Sequence, residues 1–540
     1  MPSRTWPLPL AVVALAFAAS LLLAGAFPLI DPDEGRNAEV AREMVASGDL
    51  VVPHLAGMPY LDKPPALFWA AAVATRLFGP TPFAARLPAA IAAALTLIVL
   101  ARLALRERGA AFAVRAVALA ATAPLFTVLS AYVIFDMPLT LCVTVVWTGL
   151  ASELEDGPHP GRRAAMFAAV TLGLLLKGPV MLAWALGGSL GAALLLRRPD
   201  ALRWLAWWPG WLGVVALAGG WFALASARHP EYWRYAFLEE SFERLTSGSF
   251  HREQPWWFVP AVLAGGALPW SLATPWAERR VRGTDGRSDG TARVALGFVL
   301  FAAVFFTLSR SKLVTYLLPA LPPLAWLAAA AWSDPRPQRR AGWILFGFYL
   351  LLAAGCEAVR YLEYIPGVLA PPAVPGAGRA MALAFAALAV LALASSIARR
   401  PGLAFATALA FTPIVLVLGR PVLTAYAESQ SGAPLARAIV ATGGGPVRCE
   451  ACYSPGTDHL LGRRATLVSA DGRETTSNYQ LRYRETLMAR GLWTPRAAAA
   501  PDDPAAVVVR PARAAGAPPA GWSEIFRDRR FVAFRRVSPR

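Results

Sequence analysis

Cysteine is scarce in this chain, with four residues among 540. Cys142 and Cys356 lie within apolar stretches, where a small buried hydrophobic side chain is the ordinary interpretation. Cys449 and Cys452 form a Cys-x-x-Cys pair in the polar C-terminal part. A zinc site there would need two further ligands, and His459 is the nearby candidate. The pattern therefore favours a local disulfide or two free thiols over a metal centre.

The N-terminal apolar segment lacks the features of a cleaved signal peptide. Its apolar run, residues 7 to 27, is long, and no small-x-small cleavage motif separates it from the acidic run at residues 31 to 44. About 20 apolar residues are enough to cross a hydrocarbon core of ~30 Å. We therefore interpret this segment as an uncleaved membrane span. No internal repeat is evident, which argues against a transporter built from pseudo-symmetric halves.

Apolar residues make up 56% of the chain, and the mean hydropathy is +0.46. These values, with recurrent apolar windows of about 18 residues or more, predict an all-α polytopic membrane protein. We expect about thirteen spans, near residues 7–27, 82–105, 111–129, 132–152, 164–177, 179–196, 206–226, 257–276, 292–308, 313–332, 341–358, 378–397 and 402–421.

The net charge of +18 comes mainly from arginine clusters in alternate short loops. Such clusters occur, for example, at Arg162 and Arg163 and again at Arg339 and Arg340. Under the positive-inside rule these loops are cytoplasmic, so the charge reflects topology and not nucleic-acid binding. The N-terminus is then cytoplasmic. The loops at residues 28–81 and 227–256 and the C-terminal region after about 425 are extracytoplasmic.

The first outer loop contains a predicted amphipathic helix from Asp33 to Ala46. Apolar and small residues recur at three- and four-residue spacings, and Glu39 can pair with Arg36 or Arg42 on the polar side. Gly48 stands where a helix C-terminal glycine belongs. We expect this helix, and a second short apolar one at residues 66–78, to lie along the membrane surface.

The composition becomes polar after about residue 425. Apolar strand-like segments at Ala505 to Val509 and Phe531 to Phe534, with a helical pattern from Tyr479 to Arg490, predict a small α/β domain. The predicted organisation is therefore a transmembrane catalytic domain at residues 1–425, with its site formed by the two outer loops, and an extracytoplasmic domain at 426–540.

Ionisable residues at the outer edges of apolar segments are the candidates for chemistry. Lys177, Arg310 and Lys312 lie at such edges, on the same predicted face as Asp33. Clustered cations suit a phosphate, and a carboxylate can take a proton from an attacking acceptor. The alternative interpretation is that Asp33 caps its helix and the cations are interfacial anchors.

Five motifs in order resemble those of the GT-C polyprenyl-phosphate-sugar glycosyltransferases, most closely the lipid A aminoarabinose transferase branch, which is related to the protein O-mannosyltransferases. They are Asp33-Glu34-Gly35-Arg36-Asn37-Ala38-Glu39, Tyr60-Leu61-Asp62-Lys63-Pro64-Pro65, Phe135-Asp136-Met137-Pro138, Lys177-Gly178 and Ser311-Lys312-Leu313-Val314-Thr315-Tyr316-Leu317-Leu318-Pro319. The resemblance covers roughly residues 1 to 425.

The resemblance implies an inverting transfer of a sugar from a polyprenyl-phosphate carrier to an extracytoplasmic lipid or glycan acceptor, such as lipid A, at the bacterial inner membrane. It implies that Asp33 is the essential catalytic carboxylate and Asp136 a second acid. The predicted site residues fall into three groups: Asp33, Asp136 and Glu34 for catalysis; Arg36, Lys63, Lys177, Arg244, Arg310, Lys312 and Tyr316 for the donor phosphate; and Tyr60, Asp62 and Glu240 elsewhere in the site.

Two alternatives and the cofactor question stay open at this point. The chain could modify protein Ser or Thr instead of a glycolipid, or move a polyprenyl lipid without chemistry. No cofactor is predicted with certainty. Asp62 and Glu240 are possible ligands of a divalent metal, but Glu240 is followed by Ser241, where family members often have histidine.

Overall fold

This computed structural model describes residues 5–243, 253–272, 289–333, 335–359, 361, 364–365, 368–369, 373–497, 505–514, 516–518 and 520–537. Its contacts divide the chain into two compact units. The first unit comprises residues 1–23, 89–224 and 237–425, and the second comprises residues 24–88, 225–236 and 426–540. The second unit therefore joins segments that are distant in sequence.

Nine helical stretches within the described residues are long and apolar enough to cross a membrane. They are Pro7–Ala26, Pro82–Arg108, Asp136–Asp156, Trp208–Arg228, Gly290–Leu308, Val314–Ala331, Arg340–Ala358, Val374–Ile397 and Pro401–Leu418. Further helices are Ala66–Phe78, Ala110–Ala121, Pro124–Leu129, Pro160–Lys177, Val180–Leu196 and Phe258–Gly266. Each of the thirteen predicted windows contains helix, and the prediction of a polytopic α-helical membrane protein is confirmed.

Several of these helices are irregular. The stretch Trp208–Arg228 changes to π-helix over Val215–Gly219, and Val314–Ala331 begins as a 3-10 helix over Val314–Ala320. A further π-helical segment covers Tyr235–Glu243. The window at 111–129 is divided into two helices and is not one continuous span.

Small residues and aromatic rings organise the first unit. A Cβ on Gly191 would lie 2.7 Å from the carbonyl oxygen of Gly297, so the helices Val180–Leu196 and Gly290–Leu308 meet backbone to backbone. This close approach is typical of helix packing in membranes. The Trp326 ring packs edge-on against Phe112 and Trp147, with centroid distances of 4.8 and 6.1 Å.

Nine strands occur in the described residues: β1 (His54–Leu55), β2 (Met58–Pro59), β3 (Tyr364–Ile365), β4 (Val368–Leu369), β5 (Val447–Glu450), β6 (Thr466–Val468), β7 (Val507–Pro511), β8 (Trp522–Arg527) and β9 (Phe531–Arg536). The strands β1 and β2, and likewise β3 and β4, form antiparallel hairpins.

A five-stranded sheet forms the C-terminal part of the second unit, with strand order β6-β5-β7-β9-β8. The strand β5 pairs in parallel with β6 and β7, whereas β9 is antiparallel to β7 and β8. The helices of this part are Ala433–Ala441, Pro455–Leu461, Asn478–Arg482 and Arg484–Ala489, and the helix Arg420–Gln430 contains residues of both units. The predicted α/β character is confirmed, and the predicted helix at 479–490 is two short helices.

The predicted helix of the first outer loop spans Asp33–Ser47, and we call it the first-loop helix. It ends at Gly48, whose φ of 70° is left-handed and whose N–H donates to the Met44 carbonyl. This matches the prediction from sequence.

The polar side of the first-loop helix is not solvated. Glu34, Glu39 and Glu43 are all buried, because the helix packs against Ala66–Phe78 and Pro455–Leu461. Glu39 pairs with Arg42 at 2.6 Å, as predicted. Burial raises the pKa of Glu39 well above its usual value, although the Arg42 hydrogen bond opposes the rise.

The four cysteines carry free thiols. Cys449 and Cys452 are both buried, and the Cys452 thiol lies 3.4 Å from the Val509 carbonyl oxygen. Of the two interpretations favoured for this pair from sequence, the structure has the free thiols.

Candidate active site

Asp33 is the first residue of the first-loop helix and is the most accessible of its acids near the N-terminus. Its side chain is 58% exposed, and its Oδ1 accepts a hydrogen bond from Nη2 of Arg36 at 2.6 Å. The N-cap position is occupied by Pro32, so Asp33 is the first helical residue and not the capping residue. An arginine three positions along a helix is well placed for such a pair. The Asp33 carboxylate is therefore accessible to solvent and is held in place by the Arg36 guanidinium.

Arg36 has a second protein partner. Its Nη1 donates to Oγ1 of Thr476 at 2.6 Å and lies 3.5 Å from the Thr476 carbonyl oxygen. Its Nε is buried and has no hydrogen-bond partner among the residues that the structure describes. Two nitrogens of Arg36 thus hold protein oxygens, and the Nε–H has no acceptor among the described residues.

The pKa of Arg36 is raised above its usual value. Burial lowers this pKa, but the negative forms of Tyr60, Asp33 and Asp62 nearby outweigh burial. The guanidinium stays charged at any physiological pH, as is general for arginine. Arg36 is therefore a permanent cation beside Asp33.

Glu34, the neighbour of Asp33, is fully buried and faces Arg86. Its Oε1 and Oε2 accept hydrogen bonds from Nε and Nη2 of Arg86 at 2.7 and 2.6 Å. Oε2 also accepts a bond from the Ile30 N–H. Because both carboxylate oxygens are engaged, Glu34 anchors the first turn of the helix that carries Asp33.

Asp62 accepts three hydrogen bonds within the second unit. The Tyr235 hydroxyl and the Tyr479 N–H donate to its Oδ1, and the Asn478 N–H donates to its Oδ2. The two N–H groups belong to the first turn of the helix Asn478–Arg482, an end that favours anions. Asp62 thereby fastens the proline-rich part of the first outer loop.

Tyr60 and Lys63 flank Asp62 in sequence. The Tyr60 ring is buried and packs edge-on against Phe68 with a centroid distance of 6.0 Å. Lys63 donates from Nζ to the carbonyl oxygen of Asp62 at 2.7 Å. With Asp33 and Arg36, these predicted residues all belong to the second unit.

The first unit holds a separate charge pair. Lys177 ends the helix Pro160–Lys177, and Asp136 begins the helix Asp136–Asp156. Lys177 Nζ lies 2.5 Å from Oδ1 of Asp136 and 4.4 Å from the centroid of the Tyr316 ring. Both charged side chains are largely buried, so the ring and the carboxylate together stabilise the ammonium.

The remaining predicted residues have different surroundings. Lys312 is buried, whereas Arg310 is 61% exposed and lies 4.0 Å from Glu253. Glu240 belongs to the π-helical segment Tyr235–Glu243. Arg244 lies outside the described residues.

Asp62 and Glu240 are the residues that the sequence offers as ligands of a divalent metal. Across the described ranges, no three His, Cys, Asp or Glu side chains come close enough to hold a metal ion. The Asp62 carboxylate already accepts bonds from three protein donors. This donor set fits a structural anchor better than a metal ligand.

Known proteins resemble this chain over most of its length. A family model described as dolichyl-phosphate-mannose-protein mannosyltransferase matches residues 62–220. The undecaprenyl phosphate-α-4-amino-4-deoxy-L-arabinose arabinosyl transferase of Aeromonas salmonicida is 31% identical over 417 residues, 73% of each chain. The chain belongs to the ArnT-type polyprenyl-phosphate-sugar glycosyltransferases.

Two further ArnT-type proteins extend the comparison. An arabinosyl transferase of the same name from Pseudomonas paraeruginosa is 32% identical over 381 residues, 67% of this chain and 66% of the relative. The solved structure of ArnT from Cupriavidus metallidurans bound to undecaprenyl phosphate is 25% identical with a TM-score of 0.78, and covers 98% of this chain and 99% of that one. Membership of this family confirms the fold class and the glycosyltransferase activity that were predicted from sequence.

Sequence reasoning missed three residues that hold the predicted ones in this ArnT-type chain. Arg86 binds Glu34, Thr476 binds Arg36, and Tyr235 binds Asp62. A signal existed for Arg86, because it is a charge within the predicted span at 82–105. No pattern singles out Thr476, which lies 440 residues from its partner.

Proposed function

We propose that this glycosyltransferase moves 4-amino-4-deoxy-L-arabinose from undecaprenyl phosphate to lipid A. The support is the similarity to arabinosyl transferases over 73% of the chain and to an undecaprenyl-phosphate-bound ArnT over 98%. The mannosyltransferase description belongs to a model that matches residues 62–220 alone. The glycolipid acceptor is therefore favoured over a protein acceptor.

The observation that carries the chemistry is the pairing of an accessible carboxylate, Asp33, with the permanent cation Arg36 at 2.6 Å. The Nε of Arg36, which has no hydrogen-bond partner among the described residues, is an N–H donor of the kind that binds an anionic oxygen. A sugar phosphate brings such oxygens, and its departure develops negative charge that a guanidinium stabilises. The pair thus contains both a proton acceptor and a partner for the leaving group.

The proposed reaction is a single displacement with inversion at the anomeric carbon. An acceptor oxygen attacks that carbon as its bond to the carrier phosphate breaks, and undecaprenyl phosphate leaves with the bonding electrons. When the acceptor is a hydroxyl, Asp33 takes its proton. When the acceptor is an ionised phosphate, Asp33 orients it or balances the charge developing on the sugar.

Lysine usage supports roles for the other cations. The chain has 52 lysines and arginines, of which three are lysine: Lys63, Lys177 and Lys312. All three are among the residues predicted to bind the donor phosphate. Lysine offers a compact point charge, whereas arginine offers a planar fork. The use of lysine at these three positions, in a chain that otherwise uses arginine, favours a role that requires the point charge. We assign Lys177, beside Asp136, to charge stabilisation during transfer.

We also propose the topology and domain roles that follow from the arginine-rich loops. The N-terminus is cytoplasmic in the bacterial inner membrane, and the site and the C-terminal domain are extracytoplasmic. Residues 1–425 form the catalytic transmembrane domain, and residues 426–540 contribute to acceptor selection. A reporter enzyme that is active only outside the cytoplasm, fused after residue 540, should be active.

The substrate assignment is tested with the full-length protein in liposomes. The donor is undecaprenyl-phosphate-linked 4-amino-4-deoxy-L-arabinose, the acceptor is lipid A, and products are identified by mass spectrometry. We expect modified lipid A and free undecaprenyl phosphate in equal amounts. A matched donor carrying a hexose on the same carrier should react poorly. Efficient hexose transfer without pentose transfer would refute the sugar assignment, and glycosylation of a Ser/Thr peptide instead of lipid A would refute the acceptor.

A further inference from the structure

Thr476 has a backbone conformation that is unusual for its residue type. Its φ is 56°, in the left-handed region, where a β-branched side chain is a genuine outlier. Such outliers persist when surrounding contacts fix them, and they concentrate at functional sites. Thr476 is also exposed, so the burial of its methyl group does not explain the choice of threonine.

The hydroxyl of Thr476 has one partner of interest, Arg36. The Arg36 Nη1 to Thr476 Oγ1 distance is 2.6 Å, and the same guanidinium binds Asp33 Oδ1 through Nη2, also at 2.6 Å. Because the guanidinium is a rigid plane, holding Nη1 fixes the direction in which Nη2 and Nε point. We propose that Thr476 is a positioning residue that sets the orientation of Asp33 through Arg36.

The backbone around Thr476 is fixed by independent contacts. Its N–H donates to the Arg473 carbonyl at 3.0 Å, at the end of a short 3-10 helix. The next residue, Ser477, caps the helix Asn478–Arg482 by accepting from the Gln480 N–H. Gln480 in turn donates from Nε2 to the Leu55 carbonyl oxygen at 3.2 Å. The segment is thus tied to the first outer loop and keeps Thr476 in its left-handed conformation.

Glycine is the most informative replacement at this position. Thr476→Gly removes the hydroxyl while glycine adopts φ near 56° without strain. If Thr476 served only to occupy this left-handed backbone position, the glycine variant would fold and turn over as well as the natural protein. A positioning role predicts instead that the apparent Tm is unchanged or higher while turnover falls.

The proposal rests on the proposed catalytic role of Asp33. We expect Thr476→Gly and Thr476→Val to lower kcat about ten- to a hundredfold with little change in KM for the donor, as misplacement of a reacting group does. Thr476→Ser, which retains the hydroxyl, should restore most of the turnover. Thr442→Val is the matched control, because Thr442 directly follows the helix Ala433–Ala441 and its hydroxyl donates only locally, to carbonyl oxygens of that helix such as that of Ala438.

A double-mutant cycle separates positioning from general damage. In an Arg36→Ala background, Thr476→Gly should have no further effect on kcat, because its route to Asp33 is already broken. Full kcat in Thr476→Gly, or equal losses in the presence and absence of Arg36, would overturn the proposal. Asp33→Asn measured alongside distinguishes the two failures. An inactive Asp33→Asn with a fully active Thr476→Gly refutes Thr476 alone, whereas a fully active Asp33→Asn refutes the role of Asp33 and that of Thr476 with it.

Discussion

Arg86 and Glu34 form a bidentate ion pair in which both side chains are almost completely buried. The Arg86 Nη1 group donates to the carbonyl oxygens of Ala24 and Phe27, and Nη2 donates to that of Pro28 as well as to Glu34. With Nε on Glu34, all five donors of the guanidinium have acceptors. The pair joins the end of the first span to the start of the first-loop helix.

Removal of Arg86 should therefore destabilise the protein strongly. Arg86→Ala leaves the Glu34 carboxylate buried without its counter-charge, which typically costs about 3–5 kcal/mol. The measurement is the apparent Tm of the purified protein in detergent. Arg527→Ala, which breaks an exposed pair with Glu524, is the control and should leave the Tm unchanged. A Tm for Arg86→Ala equal to that of the control would contradict the anchoring role.

Gly35, in the second position after Asp33, permits a close backbone approach. A Cβ at Gly35 would lie 1.9 Å from Asp31 Oδ1 and 2.7 Å from the Gly456 nitrogen. Gly35→Ala should then lower the free energy of unfolding by about 1–3 kcal/mol and reduce transfer, because the helix must shift. Gly25→Ala is the matched control, because no atom of the described residues would lie within 4 Å of the added Cβ, and it should be neutral or slightly stabilising. Equal stability of the two variants would refute the close packing.

Asp31 predicts a specific pH dependence of stability. Burial raises its pKa to about 6, against the lowering effects of Arg530, the Ser454 hydroxyl and the Gly456 N–H. The usual value is 3.8, so the folded protein holds this proton more tightly than the unfolded chain. The favourable effect of the protonated Asp31 carboxyl on the free energy of unfolding is fully present below about pH 4. It is lost as the pH rises through about 6, a difference of about 3 kcal/mol.

Asp31→Asn should remove this dependence. Asparagine retains an acceptor for Gly456 and has no proton to lose, so the variant should gain stability relative to the natural protein as the pH rises from about 4 to 7. The measurement is the difference in apparent Tm between the two proteins across that range. A difference that is constant with pH would show that Asp31 does not titrate in this way.

The pair of Lys177 and Asp136 allows structure and function to be separated. Lys177→Gln should lower both the Tm and transfer, since it leaves Asp136 buried and unpaired. The double variant Lys177→Gln with Asp136→Asn should recover the Tm but stay at least about a hundredfold less active, since a charge-stabilising group is missing. Recovery of transfer together with the Tm would mean that the pair is purely structural.

The sequence predicted local structure well where spacing and residue type decide it. The bounds of the first-loop helix follow from its periodicity and from Gly48, and the strands β7 and β9 from apolar runs. The burial of Glu39 and Glu43 was not foreseen, because charged residues on one helix face usually point to solvent. Their burial depends on contacts with Pro455–Leu461, which lies some 400 residues away in the chain.

The sequence singled out the charged residues of the candidate site but not the residues that hydrogen-bond to them. Asp33, Arg36 and Lys177 stand out from sequence as ions beside apolar segments. Thr476 and Tyr235 do not, because a neutral hydroxyl has no local signature in a turn or in a helix, and their partners are distant in sequence. The pairing of Arg36 with Asp33 instead of Glu39 was also missed, since all three are spaced for helical pairs and tertiary contacts make the choice.

Transfer by Asp33→Asn is the most direct test of the account. The substitution keeps the size of the side chain and removes its charge. Because the Asp33 side chain is exposed, we expect the variant to fold, so that a loss of transfer reports on the chemistry. Purified protein in liposomes, with undecaprenyl-phosphate-linked aminoarabinose and lipid A, should give no modified lipid A while the apparent Tm and donor binding stay close to those of the natural protein. Transfer at the natural rate by Asp33→Asn would contradict the central claim that this carboxylate performs the catalysis.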